Sequence, residues 1–442
     1  MNAKTAVLLI IAVWLPLIGG FQKAAAAETQ ETQIYTLEAT IAEAMKNNWD
    51  LKALEEKLTQ AQEVKKQARA DFLPRLKTSY SYTGLDEPSN YESSYGGNIA
   101  VSSRESFQWR STVIQPIFAG FGLISAYRLA ELGIDQSEME IELNRLELAL
   151  KVKEAYFNVL VMDKTVEVAR KEAESLTSNA EMTRSYYNAG VVPVNDLLKA
   201  EMELADARQK LVQAGNQAAL ARSALNILLA RPVKAPVDLE DILVYTPETA
   251  IFEDAIATAL KNRVEIRLID NEIQRSEQKI RQTQRGYYPE VNLAYDYIKE
   301  GDSADVSGSP YHDEKRWQLA VAASWTLWEW GKTHFAVRQG ESAREELVKT
   351  RKSLEDNVRL DVREAMLYIA TAEQNIPTTE KAVLQGEENL RVTQEGYRAQ
   401  VNTVTEVLDA QALLTQARVN YYKAMYTHSL AKAQLLRAMG TY

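Results

Sequence analysis

Cysteine is missing altogether, and histidine occurs only three times, as His312, His334 and His428. The first absence excludes disulfides, thiolate metal sites, cysteine nucleophiles and lipid attachment to an N-terminal cysteine. The second weighs against imidazole catalysis and histidine-rich metal centres. There is no Gly-x-Ser-x-Gly elbow and no His-Glu-x-x-His pair, so no catalytic residue, cofactor or metal is expected. Positive charge is in deficit, 51 Lys+Arg against 61 Asp+Glu for a net −10, which argues against a nucleic-acid partner. With 46% apolar and 25% charged residues, neither a disordered chain nor a polytopic helical membrane protein is expected. What is plentiful is tyrosine, 21 against 8 phenylalanines in 442 residues. That length suits about three ordinary domains or one elongated body.

Residues 1–27 read as a cleaved secretory signal. Lys4 supplies a positive start, residues 6–18 are apolar apart from Pro16, and Ala25-Ala26-Ala27 gives a small-residue cleavage site before Glu28. The apolar run ends at Gly19-Gly20 and Lys23, short of the ~20 residues a spanning helix needs. No later stretch is long enough either, so any membrane span must be β.

A duplication organises the remainder. Displaced by 215 positions, Glu38, Ile41-Ala42, Ala44, Lys46-Asn47, Pro74, Tyr80 and Tyr82 meet Glu253, Ile256-Ala257, Ala259, Lys261-Asn262, Pro289, Tyr295 and Tyr297. Displaced by 210, Glu154-Ala155, Tyr187, Ala189, Leu198, Ala200, Leu204 and Ala207-Arg208 meet Glu364-Ala365, Tyr397, Ala399, Leu408, Ala410, Leu414 and Ala417-Arg418. Two copies are too few for a solenoid. The first repeat is expected over 28–230 and the second over 248–442, joined by a proline-rich connector at 231–247. Each half reads helix, strand, long loop, strand, very long helix, tight turn, long helix.

The opening helices are expected over 37–70 and 252–285, each ending before its proline. Period-2 alternation then predicts strands at 76–83, 107–115, 290–299 and 316–327. In the last, Trp317, Leu319, Val321, Ala323 and Trp325 alternate with small or polar residues. Apolar-out, polar-in strands of about ten residues with an aromatic girdle suit lipid-facing barrel strands. Here Tyr80, Tyr82, Trp109, Tyr295, Tyr297, Trp317 and Trp325 would form that girdle. A half-buried soluble sheet is the plainer alternative. Four strands cannot close a barrel, and open edges cannot sit in hydrocarbon. If the strands span a membrane, several chains must share one wall.

The stretches 121–187 and 332–397 are poor in glycine and proline, and each would make a helix roughly 100 Å long at 1.5 Å per residue. Pro377 should kink the second. The helices that follow carry heptads: Leu197, Leu204, Leu211, Ala218, Leu225 with an alanine column, and Val407, Leu414, Tyr421, His428, Leu435 with another. That spacing imposes coiled-coil packing with close helix approach. His428 reads as a seam residue. Gly190 and Pro193 mark a tip turn at 188–193, and Thr403-x-x-Glu406 a capping box at the matching turn, 398–403. Glu406 and Asp409, at i and i+3, share a helix face.

Leu37-Glu38-Ala39, Asn47-Asn48, Phe72-Leu73-Pro74, Pro116-Ile117-Phe118-Ala119-Gly120, Tyr187-Asn188-Ala189-Gly190-Val191 and Asn195-Asp196-Leu197-Leu198-Lys199-Ala200, with the later Tyr397-Arg398-Ala399 and Glu406-Val407-Leu408-Asp409-Ala410-Gln411, resemble the TolC family of outer-membrane efflux and secretion channels. The resemblance covers 34–442 and fits the unlipidated branch. It implies a mainly α fold with a transmembrane β part: a homotrimer with a twelve-stranded outer-membrane barrel and a long periplasmic α-barrel tunnel. It also implies an adaptor protein and an inner-membrane pump of RND or ABC type as partners, with outer-membrane lipid around the barrel. Glu406 and Asp409 match the family's acidic selectivity rings. Asp196 and Tyr397 match its tip latch, where Asn402 replaces a frequent arginine. Gly190, Val191, Pro193 and Val401 lie where an adaptor would dock. The function expected is a passive exit duct gated at its periplasmic tip, in a Gram-negative outer membrane. A periplasmic coiled-coil adaptor is the alternative, but the short glycine-rich strands it requires are missing.

Overall fold

The computed structural model describes residues 34–93, 97–247 and 251–442; the signal expected at 1–27 lies outside them. In chain order the elements are β1 (Ile34–Tyr35), α1 (Leu37–Asn47), α2 (Trp49–Ala70), β2 (Arg75–Gly84), β3 (Asn90–Ser93), β4 (Gly97–Ala100), β5 (Glu105–Ala119), α3 (Gly122–Asn188) and α4 (Val194–Leu228). Then follow β6 (Asp238–Leu239), α5 (Phe252–Asn262), α6 (Val264–Thr283), β7 (Glu290–Gly301), β8 (Lys315–Ser324), α7 (Lys332–Arg398) and α8 (Val404–Ala438).

The single opening helix expected in each half is broken in two. Asn48 leaves the helical region (φ −56°, ψ 131°), and its side-chain oxygen caps α2 by accepting from the Asp50 and Leu51 amides. Arg263, 215 positions on, breaks the second copy in the same way (φ −59°, ψ 120°). Both side chains then reach the last carbonyl of a long helix: Asn48 Nδ2 donates to Leu228 O at 3.1 Å, and Arg263 Nε to Ala438 O at 2.9 Å. At Asn48 the break satisfies a helix N-terminus and a helix C-terminus together, whereas Arg263 gives α6 no side-chain cap and serves the C-terminus of α8 alone. The break therefore recurs at equivalent positions despite different residue types.

The four long strands form one antiparallel sheet in the order β2-β5-β7-β8. Its register puts Leu76, Tyr80, Tyr82, Phe107, Trp109, Val113, Leu293, Tyr295, Tyr297, Trp317, Leu319 and Val321 on one face. Leu76, Trp317, Leu319 and Val321 are each more than 60% exposed there. The opposite face is polar. Asp296 accepts from Thr112 Oγ1 at 2.5 Å and Gln318 Nε2 at 2.8 Å, while Glu300 accepts from Gln108 and from Arg316 at 3.1 Å. Strand β8 ends at Ser324, so the expected strand to 327 is three residues too long: Trp325 lies past the ladder. Both margins of the sheet, on β2 and β8, are unpaired among the described residues.

Below the sheet, α3 and α7 are each unbroken over 67 residues. The helix carries on through Pro377, where the hydroxyls of Thr378 and Thr379 bond the carbonyls of Gln374 and Asn375. The heptad columns of α4 and α8 are the buried ones, including Ala200, Ala207, Ala214 and Leu225, and Val407, Ala410, Leu414, His428 and Leu435. The two largest clusters are one core built twice. Ala44, Leu51, Leu148, Val152, Val159 and Leu225 fill the first, and Ala259, Ile266, Val358, Val362, Ile369 and Leu435 take the same places in the second. At mid-length β1 pairs parallel with β6, fastening the N-terminal segment to the connector.

Candidate functional site

The helical end farthest from the sheet gathers most of the residues singled out above. Helix α3 gives way to a turn after Asn188, where Gly190 adopts φ +74° and the Val191 amide closes back on Tyr186 O at 2.9 Å. Pro193 is the N-cap residue of α4, one place earlier than a first-turn proline. The second turn repeats this geometry with Gln400 at φ +62° and Val401 N on Gly396 O at 2.8 Å. Thr403 and Glu406 form the capping box: Thr403 N donates to Glu406 Oε2 at 2.7 Å, and Glu406 N to Thr403 Oγ1 at 3.3 Å. Among the described residues Asn402 pairs with no charged group; its side chain lies against Gly396, where an added Cβ would come within 2.6 Å of Oδ1.

Glu406 and Asp409 are both exposed, on the face of α8 opposite to the buried Val404, Val407 and Ala410. Packing of the hairpin thus leaves the two carboxylates pointing away from it. Tyr397 is buried at 4% exposure among Ala180, Ala200, Val404 and Val407. Its hydroxyl lies 3.0 Å from Thr183 Oγ1. Thr183 donates its only proton to Asn179 O at 2.9 Å, so the phenol is the donor of that pair. Burial pushes the Tyr397 phenol above its usual value, and the carboxylate of Asp196 adds to this. Asp196 thus sits close enough to be felt, but the hydrogen bond goes to Thr183. The ring of Tyr186 lies 5.6 Å from that of Tyr397. Val191 and Val401 are exposed at the two turns, Val401 by 80%.

Thr183, Tyr186 and Gly396 are the tip residues that sequence reasoning missed. Each stands within a few positions of a motif residue but carries no pattern of its own. The polar inner face was expected from the alternation, but its network of Arg110, Asp296, Glu300 and Arg316 was not singled out; charges at every second position of otherwise apolar strands were the available signal. Of the expected girdle, Trp109 donates to Thr78 Oγ1 at 2.6 Å, and Tyr295 stacks on Trp317 with ring centres 6.2 Å apart. Among the described residues no group of three or more His, Asp or Glu is placed to hold a metal.

Comparison with known proteins agrees with this geometry. The family model described as outer membrane efflux protein matches residues 40–231 and 255–441, one block in each repeat. The chain is 23% identical over 397 residues to the outer membrane protein TolC of Escherichia coli (strain K12), covering 85% of this chain and 76% of that one. It is also 23% identical over 409 residues to the cobalt-zinc-cadmium resistance protein CzcC of Cupriavidus metallidurans, covering 92% and 90%. Among solved structures, the outer membrane protein VceC of Vibrio cholerae superposes with a TM-score of 0.75 at 18% identity, over 92% of this chain and 96% of that one.

Proposed function

This chain belongs to the outer membrane efflux protein family, and from that premise we propose that it is the exit duct of a tripartite efflux or secretion system, opening at its helical tip. It lies in the outer membrane, with its helices extending into the periplasm. The observation that carries the reading is the two-faced, open-edged sheet set on helices of 67 residues. Such a sheet suits lipid on its aromatic face and water on its polar face only once other copies cover its margins. Three copies give twelve strands, a size a closed barrel tolerates.

In that trimer Glu406 and Asp409 form two stacked rings of three carboxylates at the mouth of the tunnel. Crowded carboxylates draw cations and repel anions. Tyr397, bonded to Thr183 of the other repeat and near Asp196, holds the inner hairpin against its neighbour and keeps the tip narrow. Val191 and Pro193, exposed beside Gly190, and Val401 on the second turn offer the apolar turns on which a periplasmic adaptor settles. An inner-membrane pump supplies the energy, and the duct itself performs no chemistry. Single-channel recording in planar bilayers tests this. Asp409→Asn and Glu406→Gln, the latter able to keep the capping box, should lower the cation-to-anion permeability ratio several-fold, and Tyr397→Phe should raise resting conductance. Unchanged selectivity removes the ring assignment.

A further inference from the structure

Where the strands hand over to the helices, the two repeats are not equivalent. A cavity of about 370 Å³ lies between the first turns of α3 and the end of α6, with Arg128 and Arg281 in its wall and no acidic residue lining it. Neither arginine makes an ion pair or a side-chain hydrogen bond among the described residues. Gln278 adds a buried amide oxygen with no hydrogen-bond partner; rotation of such an amide would bring its NH₂ donor to the same place. Helix α3 opens there with no side-chain cap and no acid in its first turn. On the sheet side Phe118, Phe121 and Tyr288 meet edge-to-face at 5.3, 5.4 and 6.3 Å, and Phe121, Tyr288 and Ile124 remain largely exposed. The cavity thus has an apolar rim toward the membrane and a cationic floor: Arg128 lies six residues below the start of α3, about 9 Å along the helix axis.

The start of α7, the counterpart of the start of α3, carries an acid instead. Glu329 takes the Thr333 amide at 2.8 Å and the Thr333 hydroxyl as well, capping α7 with its own negative charge. Position 329 corresponds to Ala119, so the first repeat has no such acid. Beside Glu329 a cavity of about 310 Å³, also lined by Trp325 and Trp328, lies between the end of α6 and the start of α7 and has no arginine in its wall, although Arg338 stands at the position matching Arg128.

We propose that the α3/α6 cavity binds the phosphate headgroup of a glycerophospholipid of the periplasmic leaflet, one per chain, with its acyl chains along Phe121, Ile124 and Tyr288. Two guanidiniums and a helix N-terminus are donors matched to a phosphodiester. The aromatic rim stands at the depth where amphipathic rings meet headgroups. This rests on the sheet spanning the membrane, but the two fail separately. Loss of outer-membrane fractionation would sink the duct, whereas an assembled channel indifferent to lipid would sink only this site.

Native mass spectrometry of the full chain in detergent tests it, with phosphatidylglycerol, diacylglycerol and inorganic phosphate as separate probes. Wild type should keep about one phosphatidylglycerol per chain and hold diacylglycerol at least about 10-fold more weakly. The double variant Arg128→Gln/Arg281→Gln, and separately Ala119→Glu, which copies the second repeat's acid, should each weaken phosphatidylglycerol by a similar factor. Their assembly is read from the mass in the same spectrum. Equal retention of diacylglycerol by wild type overturns the proposal whether or not the variants assemble. So does undiminished phosphatidylglycerol on assembled variants, or uptake of inorganic phosphate without lipid.

Discussion

Outside the loop after β7, every left-handed residue among those described belongs to a pair 210 positions apart: Gly120 with Trp330, Phe121 with Gly331, Gly190 with Gln400, and Ala230 with Gly440. In each pair one copy holds glycine and the other tolerates a side chain at φ between 54° and 65°. The backbone of the duplicated unit therefore demands these conformations, and packing enforces them where the residue type does not. A non-glycine residue held there costs about 1 kcal/mol or more. The tip pair isolates that cost, because a Cβ on Gly190 would meet nothing within 4 Å. Gly190→Ala should lower the opening free energy of the first tip by about 1 kcal/mol, and Gln400→Gly should raise that of the second by up to about 1 kcal/mol. Hydrogen exchange of the amides flanking each turn reads both, and an equal response to the two changes would refute the account.

Elements at mid-length hang on a single phenol. Tyr156, fully buried on α3, lies 2.9 Å from Tyr35 O on β1 and 2.9 Å from Glu240 O just past β6, so its one proton serves both strands. Burial, reinforced by the charge of Glu240, pushes this phenol up to about 12. Its ordinary value is near 10, so ionisation opposes folding. The native state holds the proton where the unfolded chain has lost it, and stability falls as pH rises from about 10 to 12. Tyr156→Phe should cost about 1–2 kcal/mol at neutral pH by orphaning the carbonyls. It should also flatten the alkaline decline of the midpoint of urea unfolding; an unaltered decline would exclude Tyr156 as its source. Elements of this kind divide what the sequence makes legible from what it does not. Long helices, strands, turns and the duplication could be read because periodicity and proline placement act locally. The breaks at Asn48 and Arg263 could not, since their reason is a carbonyl 180 or 175 positions away. At the tip, Glu406 was readable as a cap from spacing alone, whereas Thr183 as the partner of Tyr397 depends on how two repeats meet.

Closure of the whole molecule turns on the two free margins. Within one chain β2 and β8 are separated by β5 and β7, three strand spacings or about 14 Å. A disulfide needs Cα atoms within about 7 Å on the same face. Thr78 of β2 shares its face with Trp317, Leu319, Val321 and Ala323 of β8 through the register Thr78–Ser111–Tyr297–Trp317. Because the chain has no cysteine of its own, Thr78→Cys can be combined with one cysteine at a time along β8 without background. A bond formed in any of these double variants must join two chains, since one chain cannot bring the positions together. A closed ring of three would give a covalent trimer as the largest species on a denaturing gel after mild oxidation in outer membranes. An open stack would instead give a ladder without an upper limit. The barrel predicts the first outcome at one or two adjacent β8 positions, set by the stagger between chains, and none at the others. Failure at every position would leave the margins uncovered in hydrocarbon, where an unpaired backbone group costs several kcal/mol, and the membrane placement of this sheet would have to be abandoned.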